Sequence, residues 1–319
     1  MEGGSRFDLL PDFAKEHCYE HDGVIIGKAV PKCSLEEMKD FEVRPDDVFI
    51  IVYPKSGTTW MQQIVTMVQA GGEVEAVSKK HVLARMPFLE MSSKLDFDKM
   101  TRKSDQEETW RPRAMYEVAN KMASPRVMKT QLLPKFLPKQ LQEKNAKVIC
   151  VARNPKDVAV SYFHFCHYSP GLPPYPTWDQ FFKDFCANLL PKGSWFDHVL
   201  YWWNRRRQPN VFFITYEEMK RDLRGAVVRI SDFLGKNLSD DVIDKITKHC
   251  TFDAMKKDPK ANPDSVPVFA KAVSKKKSFM RKGEIGDWKN HFTVAQNEEF
   301  DELCRTKLSA TGLKFIYEL

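Results

Sequence analysis

Residues 53–60, with the sequence YPKSGTTW, carry side chains that could bind a phosphate-like anion. They follow the apolar, β-branched run 48–52, which predicts a buried parallel strand, and they precede residues 61–70, which predict a helix. A strand, a tight turn and a helix N-terminus direct backbone N–H groups at one place, where the helix dipole favours an anion. Lys55 adds a cation, and hydroxyl donors come from Ser56, Thr58 and Thr59.

This segment is not a Walker A motif, because its lysine precedes the glycine and no GK[ST] occurs in the chain. The predicted ligand is therefore phosphate-like, and the metal-assisted chemistry of a kinase is not implied. Trp60, at the start of the predicted helix, could stack on a nucleotide base or pack in the core. The segment alone leaves both interpretations open.

Composition narrows the class of protein. The chain has 319 residues, 42% of them hydrophobic, and a net charge of +7 spread along its length, which suits an anionic small molecule better than nucleic acid. It has no apolar run long enough to span a membrane, and its first ten residues lack the apolar core of a signal peptide. Seven cysteines without metal-type pairs indicate reduced thiols. We therefore expect a cytoplasmic protein without a metal site, a membrane partner or a nucleic-acid partner.

Apolar strand-like runs alternate with helical segments along the chain. This alternation predicts a single α/β domain over residues 1–319, with a mostly parallel central sheet flanked by helices on both faces. Besides the first strand, the predicted strands are residues 126–129, 147–152 and 210–215. Besides the first helix, the predicted helices are 134–145, one opening at Pro155, helices through Leu234, and one over 239–249.

Cations follow three of the four predicted strands. Ligands of parallel sheets lie beyond the carboxyl ends of the strands, where this chain places Lys55, Lys129 and Arg153, with Tyr216 after the fourth strand. A helix could return Ser161 to the same edge. Near the C-terminal end, FMRKG at 279–283 combines two cations with a glycine that allows close backbone approach. We expect these groups to converge on one anion.

Three long motifs together resemble the cytosolic sulfotransferases. These are residues 53–60, residues 153–162 (RNPKDVAVSY) and residues 281–289 (RKGEIGDWK), which occur in the family's order. The family transfers a sulfuryl group from 3′-phosphoadenosine 5′-phosphosulfate (PAPS) to small acceptors, leaves 3′-phosphoadenosine 5′-phosphate (PAP), and has a P-loop-like phosphosulfate-binding loop. The resemblance runs from Arg44 to Phe300, and it implies PAPS as the cofactor and no metal requirement.

The resemblance also implies roles for individual residues. The 5′ end of the nucleotide would contact Lys55, Ser56, Gly57, Thr58 and Thr59. The 3′-phosphate would contact Arg153, Ser161, Arg281, Lys282 and Gly283, in the segment that also contains Phe279 and Met280. The adenine would lie between Trp60 and Phe252, close to Tyr216 and Thr251. Cys250 stands where relatives often carry threonine, so one hydrogen bond to the base would be absent. The acceptor pocket would include Phe88, Met91 and Phe165.

The main departure from the family lies on the acceptor side. Relatives read KTHL, and their histidine takes the acceptor's proton, whereas this chain reads KTQL at residues 129–132. The amide of Gln131 cannot act as a general base near neutral pH. Lys55 and Lys129 can still stabilise charge on the transferring group. Replacement bases could come from His164 or His167, or from Glu90.

Three functional interpretations follow. The first is a sulfotransferase that acts on the hydroxyl or amine of a small apolar or aromatic acceptor, with Lys55, Lys129 and Gln131 at the catalytic positions. The second is a nucleotide- and ligand-binding protein with little turnover, natural or engineered. The third is elimination or dehydration chemistry on the same scaffold.

Two further features concern assembly and access. Lys289, Thr293, Val294 and Glu298 match the family's short dimer motif, so we expect a homodimer with reciprocal ion pairs across a two-fold axis. The alternative for Thr293 is an ordinary helix N-cap. Residues 256–282 contain three prolines and few periodic apolar positions, which predicts a flexible lid.

Overall fold

The computed structural model describes residues 5–91, 115–275 and 277–318. Its main sheet has four parallel strands, and across the sheet these lie in the order second, first, third and fourth in sequence. The strands are β3 (Val48–Val52), β4 (Val127–Thr130), β5 (Lys147–Ala152) and β6 (Val211–Thr215). A separate antiparallel hairpin, which the sequence analysis did not predict, consists of β1 (Cys18–His21) and β2 (Val24–Gly27).

Helices connect and cover the strands. In chain order, the α-helices of the described residues are α1 (Asp12–Lys15), α2 (Lys32–Met38), α3 (Thr58–Gln69), α4 (Val74–Ser78), α5 (Met115–Asn120), α6 (Gln140–Glu143), α7 (Pro155–Tyr168), α8 (Trp178–Cys186), α9 (Trp195–Arg205), α10 (Tyr216–Arg221), α11 (Leu223–Leu234), α12 (Asp240–His249), α13 (Phe252–Lys257), α14 (Ala270–Ser274) and α15 (Val294–Leu308). Short 3₁₀ turns are Arg6–Leu9, Val82–Ala84, Pro134–Phe136, Pro263–Ser265, Pro267–Phe269 and Asp287–Asn290.

The two faces of the sheet carry separate apolar cores. Successive side chains of a strand point to opposite faces. On β3, Phe49 and Ile51 pack in one core with residues of α2 and α9, while Val48, Ile50 and Val52 pack in the other with residues of α3, α11 and α12. This two-sided burial explains why the strands are continuous apolar runs. The predicted fold class, a parallel sheet with helices on both faces, is confirmed.

Element boundaries differ from prediction in two informative places. The predicted helix over 134–145 is wrong: the segment forms the 3₁₀ turn Pro134–Phe136 and the short helix α6. Leu137 between them is extended, with ψ of 158°, because the following Pro138 disfavours helical geometry before it. Helix α3 begins at Thr58, three residues earlier than predicted, because Gly57 adopts a left-handed φ of +114° and sets the cap.

The segment predicted as a flexible lid is packed at its centre. Val266, Phe269 and Ala272 are buried against Tyr168 of α7. Asp264 accepts hydrogen bonds from the Tyr168 hydroxyl and from the Phe279 backbone N–H, both at 2.8 Å. The flexibility of this segment stays a prediction. Across the described ranges, no helix is both long and apolar enough to cross a membrane.

Candidate nucleotide and acceptor site

The turn after β3 and the start of α3 contain the predicted anion-binding loop, residues 55–59 (the anion loop). Lys55 and Gly57 both have positive φ, +67° and +114°. A Cβ on Gly57 would lie 3.3 Å from the ring of Tyr216, so this position combines an unusual backbone with close packing. Ser56 is fully buried, and its Oγ has no hydrogen-bond partner among the described residues. The first-turn N–H groups of α3 follow directly, with Thr58 and Thr59 at the helix start.

Lys55 lies between two phenyl rings. Its Nζ is 4.0 Å from the ring centre of Phe165 on α7 and 4.1 Å from that of Phe279. Such contacts stabilise a cation through the ring quadrupoles. Burial lowers the pKa of Lys55 to about 7, and the positive charges of Arg153 and Arg281 act in the same direction. The three cationic groups therefore lie close enough together to repel one another.

Arg153 follows β5, and it lines the same cavity as Lys55. Its guanidinium stacks on Tyr216, 4.3 Å from the ring centre, and its Nη2 donates to the Glu284 carbonyl over 2.9 Å. Its Nε has no hydrogen-bond partner among the described residues. Ser161, two turns along α7, lines the cavity beside it. Helix α7 therefore brings Ser161 to the same edge as Arg153, as the sequence predicts.

Arg281 and Lys282 share one carboxylate. The Asp287 carboxylate lies 2.5 Å from Arg281 Nη2 through one oxygen and 2.5 Å from Lys282 Nζ through the other. Partial burial opposes its ionisation, but hydrogen bonds from Lys282 and Asn290, together with the positive charge of Arg281, hold the pKa of Asp287 well below its usual range. Asp287 thus fixes both cations at the cavity wall.

Gly283 allows the chain to pass close to an aromatic ring. It has a φ of +70°, and a Cβ there would lie 2.4 Å from Phe252 Cδ2. No larger side chain fits without displacing Phe252. The glycine therefore keeps the Arg281–Lys282 backbone against the aromatic end of the cavity.

Trp60, Tyr216 and Phe252 form the aromatic end of this cavity. The indole of Trp60 contacts Tyr216 with ring centres 5.1 Å apart, and its Nε1 donates to the Cys250 carbonyl over 2.7 Å. Thr251 caps α13 by accepting from the Ala254 N–H. Trp60 therefore faces both the cavity and the core, which explains why the sequence left its role open.

Lys129 lies within β4, not past its end as predicted. Its Nζ donates to Gln62 Oε1 over 2.7 Å, and Gln62 is fixed in turn by a hydrogen bond to the Val82 carbonyl. The ring centre of Phe88 is 5.3 Å from the same Nζ. Burial lowers the pKa of Lys129 to about 7, although the nearby Glu90 carboxylate acts in the opposite direction.

Gln131 connects the end of β4 to the anion loop. Its side-chain amide donates to Thr58 Oγ1 over 3.3 Å, and its backbone N–H donates to Glu90 Oε1 over 2.9 Å. Glu90 is fully buried. An amide at this position offers hydrogen bonds but no basic nitrogen.

The proposed replacement bases His164 and His167 are not among the residues that line the cavity. His164 Nε2 lies 3.0 Å from His291 Nε2, and burial, with Arg281 and His291, lowers the pKa of His164 to about 4. His167 Nδ1 lies 3.0 Å from the Phe163 carbonyl oxygen. The structure therefore gives neither histidine direct access to an acceptor.

These groups enclose one cavity of about 930 Å³. All the site residues predicted from the sequence line it except Ser56, whose side chain is fully buried. Its apolar wall is rich in methionine and includes Met86, Met91, Met115, Met122 and Met255. The sequence analysis missed Lys192, which also lines the cavity and pairs with Glu90 over 2.8 Å. In the sequence, Gly193 after it indicates a turn but not a position in the cavity wall.

The residues of the predicted dimer motif lie away from the cavity. Val294 is 77% exposed, an unusual fraction for an apolar side chain at a helix start. Thr293 forms a capping box with Gln296, as in the alternative interpretation of this residue. Lys289 forms an ion pair with Glu318 of the same chain rather than with Glu298.

Comparison with known proteins gives one consistent result. The family described as "Sulfotransferase domain" matches residues 45–312. Sulfotransferase 1C2 of Rattus norvegicus is 40% identical over 315 residues, which is 98% of this chain and 99% of the relative. The crystal structure of mouse sulfotransferase SULT7A1 complexed with PAP has a TM-score of 0.72 at 30% identity, covering 91% of this chain and 94% of that one. Retinol dehydratase in a complex with retinol and PAP has a TM-score of 0.78 at 25% identity, covering 92% and 90%.

Proposed function

The chain belongs to the sulfotransferase domain family, and we propose that it transfers the sulfuryl group of PAPS to the hydroxyl or amine of a small apolar or aromatic acceptor. The observation that carries this proposal is that four basic residues from different parts of the chain line one cavity with an apolar wall. Three neighbouring strands contribute Lys55, Lys129 and Arg153, and the C-terminal region contributes Arg281. Four cations around one space suit a donor with phosphate and sulfate groups.

The residues present fit the nucleotide. Arg153 and Arg281 can pair bidentately with the 3′-phosphate, with Ser161, Lys282 and Gly283 around it. Support comes from Arg153 Nε, which has no hydrogen-bond partner in the part of the chain that the structure describes, and from the close approach at Gly283. The loop from Lys55 to Thr59 would hold the 5′ end, since all of its residues except Ser56 line the cavity.

The aromatic end of the cavity suits the adenine. Trp60 and Phe252 both line the cavity and offer flat faces, and Tyr216 and Thr251 lie next to them in the wall. Phe279 and Met280 continue this wall towards Lys55. A base between aromatic rings gains stacking energy on both faces.

Electrostatic stabilisation is the chemistry that the chain's own residues can supply. The acceptor oxygen or nitrogen would form a bond to sulfur and lose its proton to solvent, while the bond from sulfur to the 5′-phosphate oxygen would break. Lys55 and Lys129 would stabilise the negative charge that develops around this centre. Gln131, at the family's histidine position, can orient the acceptor by hydrogen bonding but cannot take its proton. Phe88, Met91 and Phe165 would enclose the acceptor's apolar body.

A second candidate function is nucleotide and ligand binding with little turnover. It is favoured by Gln131 and by the positions of His164 and His167 outside the cavity wall. Dehydration of the acceptor, the third interpretation, is supported only by likeness in fold to retinol dehydratase.

We further propose that the chain forms a homodimer through Lys289, Thr293, Val294 and Glu298. The exposed Val294 supports this, because an apolar side chain at the centre of a two-fold contact would be covered by its own copy. The Lys289 ammonium would have to exchange its contact with Glu318 for the partner chain.

A product assay separates the three functions. The chain would be incubated with PAPS and a panel of phenols, alcohols and amines, with a chelator in a parallel set. We expect sulfated product that is insensitive to the chelator. Tight PAP binding without product would favour the binding protein, and loss of acceptor without sulfated product would favour dehydration.

A further inference from the structure

Lys192 is a nearly buried lysine in the cavity wall that no role above explains. The residue is 8% exposed, and its Nζ donates to Glu90 Oε1 over 2.8 Å. An ammonium has three N–H donors, and Glu90 is its one hydrogen-bonding partner among the described residues. Lysine is rarely this buried unless paired or functional. Two donors therefore remain for a ligand in the cavity.

The turn around Lys192 is held rigidly from three sides. The Tyr162 hydroxyl donates to the Pro191 carbonyl over 2.8 Å, and the Tyr53 hydroxyl donates to the Gly193 carbonyl over 3.0 Å. The Lys192 N–H donates to the Ile25 carbonyl over 3.0 Å. Lys192 itself has a φ of +79°, which is unfavourable for a side chain with a Cβ and persists only where the surroundings impose it.

This turn places the ammonium at the acceptor end of the cavity. Lys192 and the backbone N–H of Gln131 donate to the same Glu90 oxygen. The ammonium is also 5.7 Å from the ring centre of Phe88, whose other neighbour is the Lys129 ammonium at 5.3 Å. Two lysines thus flank the region where the family's base would act, and one carboxylate, Glu90, offsets only part of their charge.

We propose that Lys192 is a specificity-determining residue that binds the acceptor oxygen as an anion and selects acceptors that ionise readily, such as acidic phenols. This inference rests on the proposed sulfuryl transfer. The phenol gives its proton to solvent, so no protein base is required. The phenolate oxygen then bonds to sulfur, the bond from sulfur to the 5′-phosphate oxygen breaks, and PAP leaves with that electron pair.

The test uses a nitrophenol whose anion absorbs visible light. The full chain, saturated with PAP, is titrated with the nitrophenol across a pH series, and the absorbance gives the pKa of the bound phenol. We expect that pKa to lie about one unit or more below that of the free phenol, because a nearby cation favours the charged form. Lys192→Met should move it back by about one unit, or tenfold in the ionisation constant. Lys192→Arg should preserve the shift.

Glu90 supplies a control of opposite sign. Glu90→Gln removes the charge that offsets Lys192 and should lower the bound phenol's pKa further, whereas a merely structural pair would respond in the same direction to loss of either partner. If Lys192→Met does not fold because it leaves Glu90 unpaired, the double variant Glu90→Gln/Lys192→Met removes both charges and should lose most of the shift.

The proposal is overturned if the native chain does not bind the nitrophenol, if it binds it without a shift, or if neither Lys192→Met nor the double variant reduces the shift. Failure of the proposed function would look different. A chain that shifts the phenol's pKa through Lys192 but makes no sulfated product from PAPS would retain this anion site and contradict sulfuryl transfer.

Discussion

The side-chain amide of Gln131 donates a hydrogen bond to Thr58 Oγ1 over 3.3 Å, which joins the acceptor side of the cavity to the anion loop. A residue at this position is therefore well placed to act on an acceptor beside the sulfuryl group. We expect Gln131→His to raise turnover on neutral alcohols and weakly acidic phenols by about tenfold or more, since a positioned base contributes ~10²–10⁴-fold.

PAP affinity of Gln131→His should stay nearly unchanged, and Gln131→Asn, which also lacks a basic nitrogen, should show no gain. Initial rates for alcohols and graded phenols, with PAP binding measured in parallel, provide the check. Equal turnover of the native chain and Gln131→His would show that the chain does not depend on a base at position 131.

Arg281 should carry much of the discrimination for the 3′-phosphate. We expect the native chain to bind PAP much more tightly than adenosine 5′-phosphate. Removal of one partner of a buried charge pair costs ~2–5 kcal/mol, so Arg281→Ala should weaken PAP binding by about thirtyfold or more and erase most of the preference. Calorimetry with both nucleotides measures this.

Arg305→Ala is a suitable control for the Arg281 variant, because Arg305 is exposed and, among the described residues, its side chain hydrogen-bonds only to Glu302 on the same helix. Its PAP affinity should equal that of the native chain. Equal native affinity for the two nucleotides would rule out the assignment of Arg281 and Arg153 to the 3′-phosphate.

Nucleotide binding should be accompanied by proton uptake. Lys55 and Lys129 each have a pKa lowered to about 7 by burial, so both are largely neutral at about pH 8. Phosphate or sulfate beside them favours the charged form and raises both pKa values. Affinity should therefore fall as pH rises above about 7, through the window between the free and bound pKa values.

Calorimetry at about pH 8 in buffers of different ionisation enthalpy counts the protons taken up. Lys55→Arg should reduce the uptake, because a guanidinium stays protonated throughout this range. Identical heats in all the buffers would mean that neither lysine changes its charge on binding.

Val294 should be the centre of a dimer contact. We expect the native chain to be a dimer at micromolar concentration by light scattering, and Val294→Glu to be a monomer, because a small interface does not tolerate a buried unpaired charge. Leu9→Glu changes another strongly exposed apolar residue, 69% exposed and far along the chain, and should leave the dimer intact. A native chain that runs as a monomer would disprove the assembly.

The sheet and most of the site could be predicted because both depend on local sequence. Continuous apolar runs identify buried parallel strands, and the carboxyl ends of such strands meet at one edge, so the convergence of Lys55 and Arg153 follows from their positions. Lys129 lines the same cavity from within β4, which the strand-end rule did not predict. The prediction of a helix over 134–145 failed because Pro138 disfavours helical geometry at Leu137 and interrupts the helix.

Other features depend on contacts between distant parts of the chain. Lys192 reaches the cavity because Tyr53 and Tyr162 hold its turn, and nothing near position 192 in the sequence indicates those contacts. His164 lies next to the nucleotide motif in the sequence, but in the structure its Nε2 contacts His291, which is 127 residues later. Such tertiary contacts determine which candidate groups face the cavity, and residue patterns and spacings in the sequence do not predict them.

The position of Lys55 between Phe165 and Phe279 makes the two halves of the cavity thermodynamically interdependent. In the proposed site, Phe165 is part of the acceptor wall and Phe279 is part of the nucleotide wall, and the Lys55 ammonium contacts both rings. A ligand in either half changes the surroundings of that ammonium, so donor and acceptor should bind cooperatively, each altering the other's affinity by the same factor. Acceptor titrations with and without PAP give that factor, and Phe165→Leu should bring it closer to one. A factor of one in the native chain would mean that Lys55 does not couple the binding of donor to the binding of acceptor.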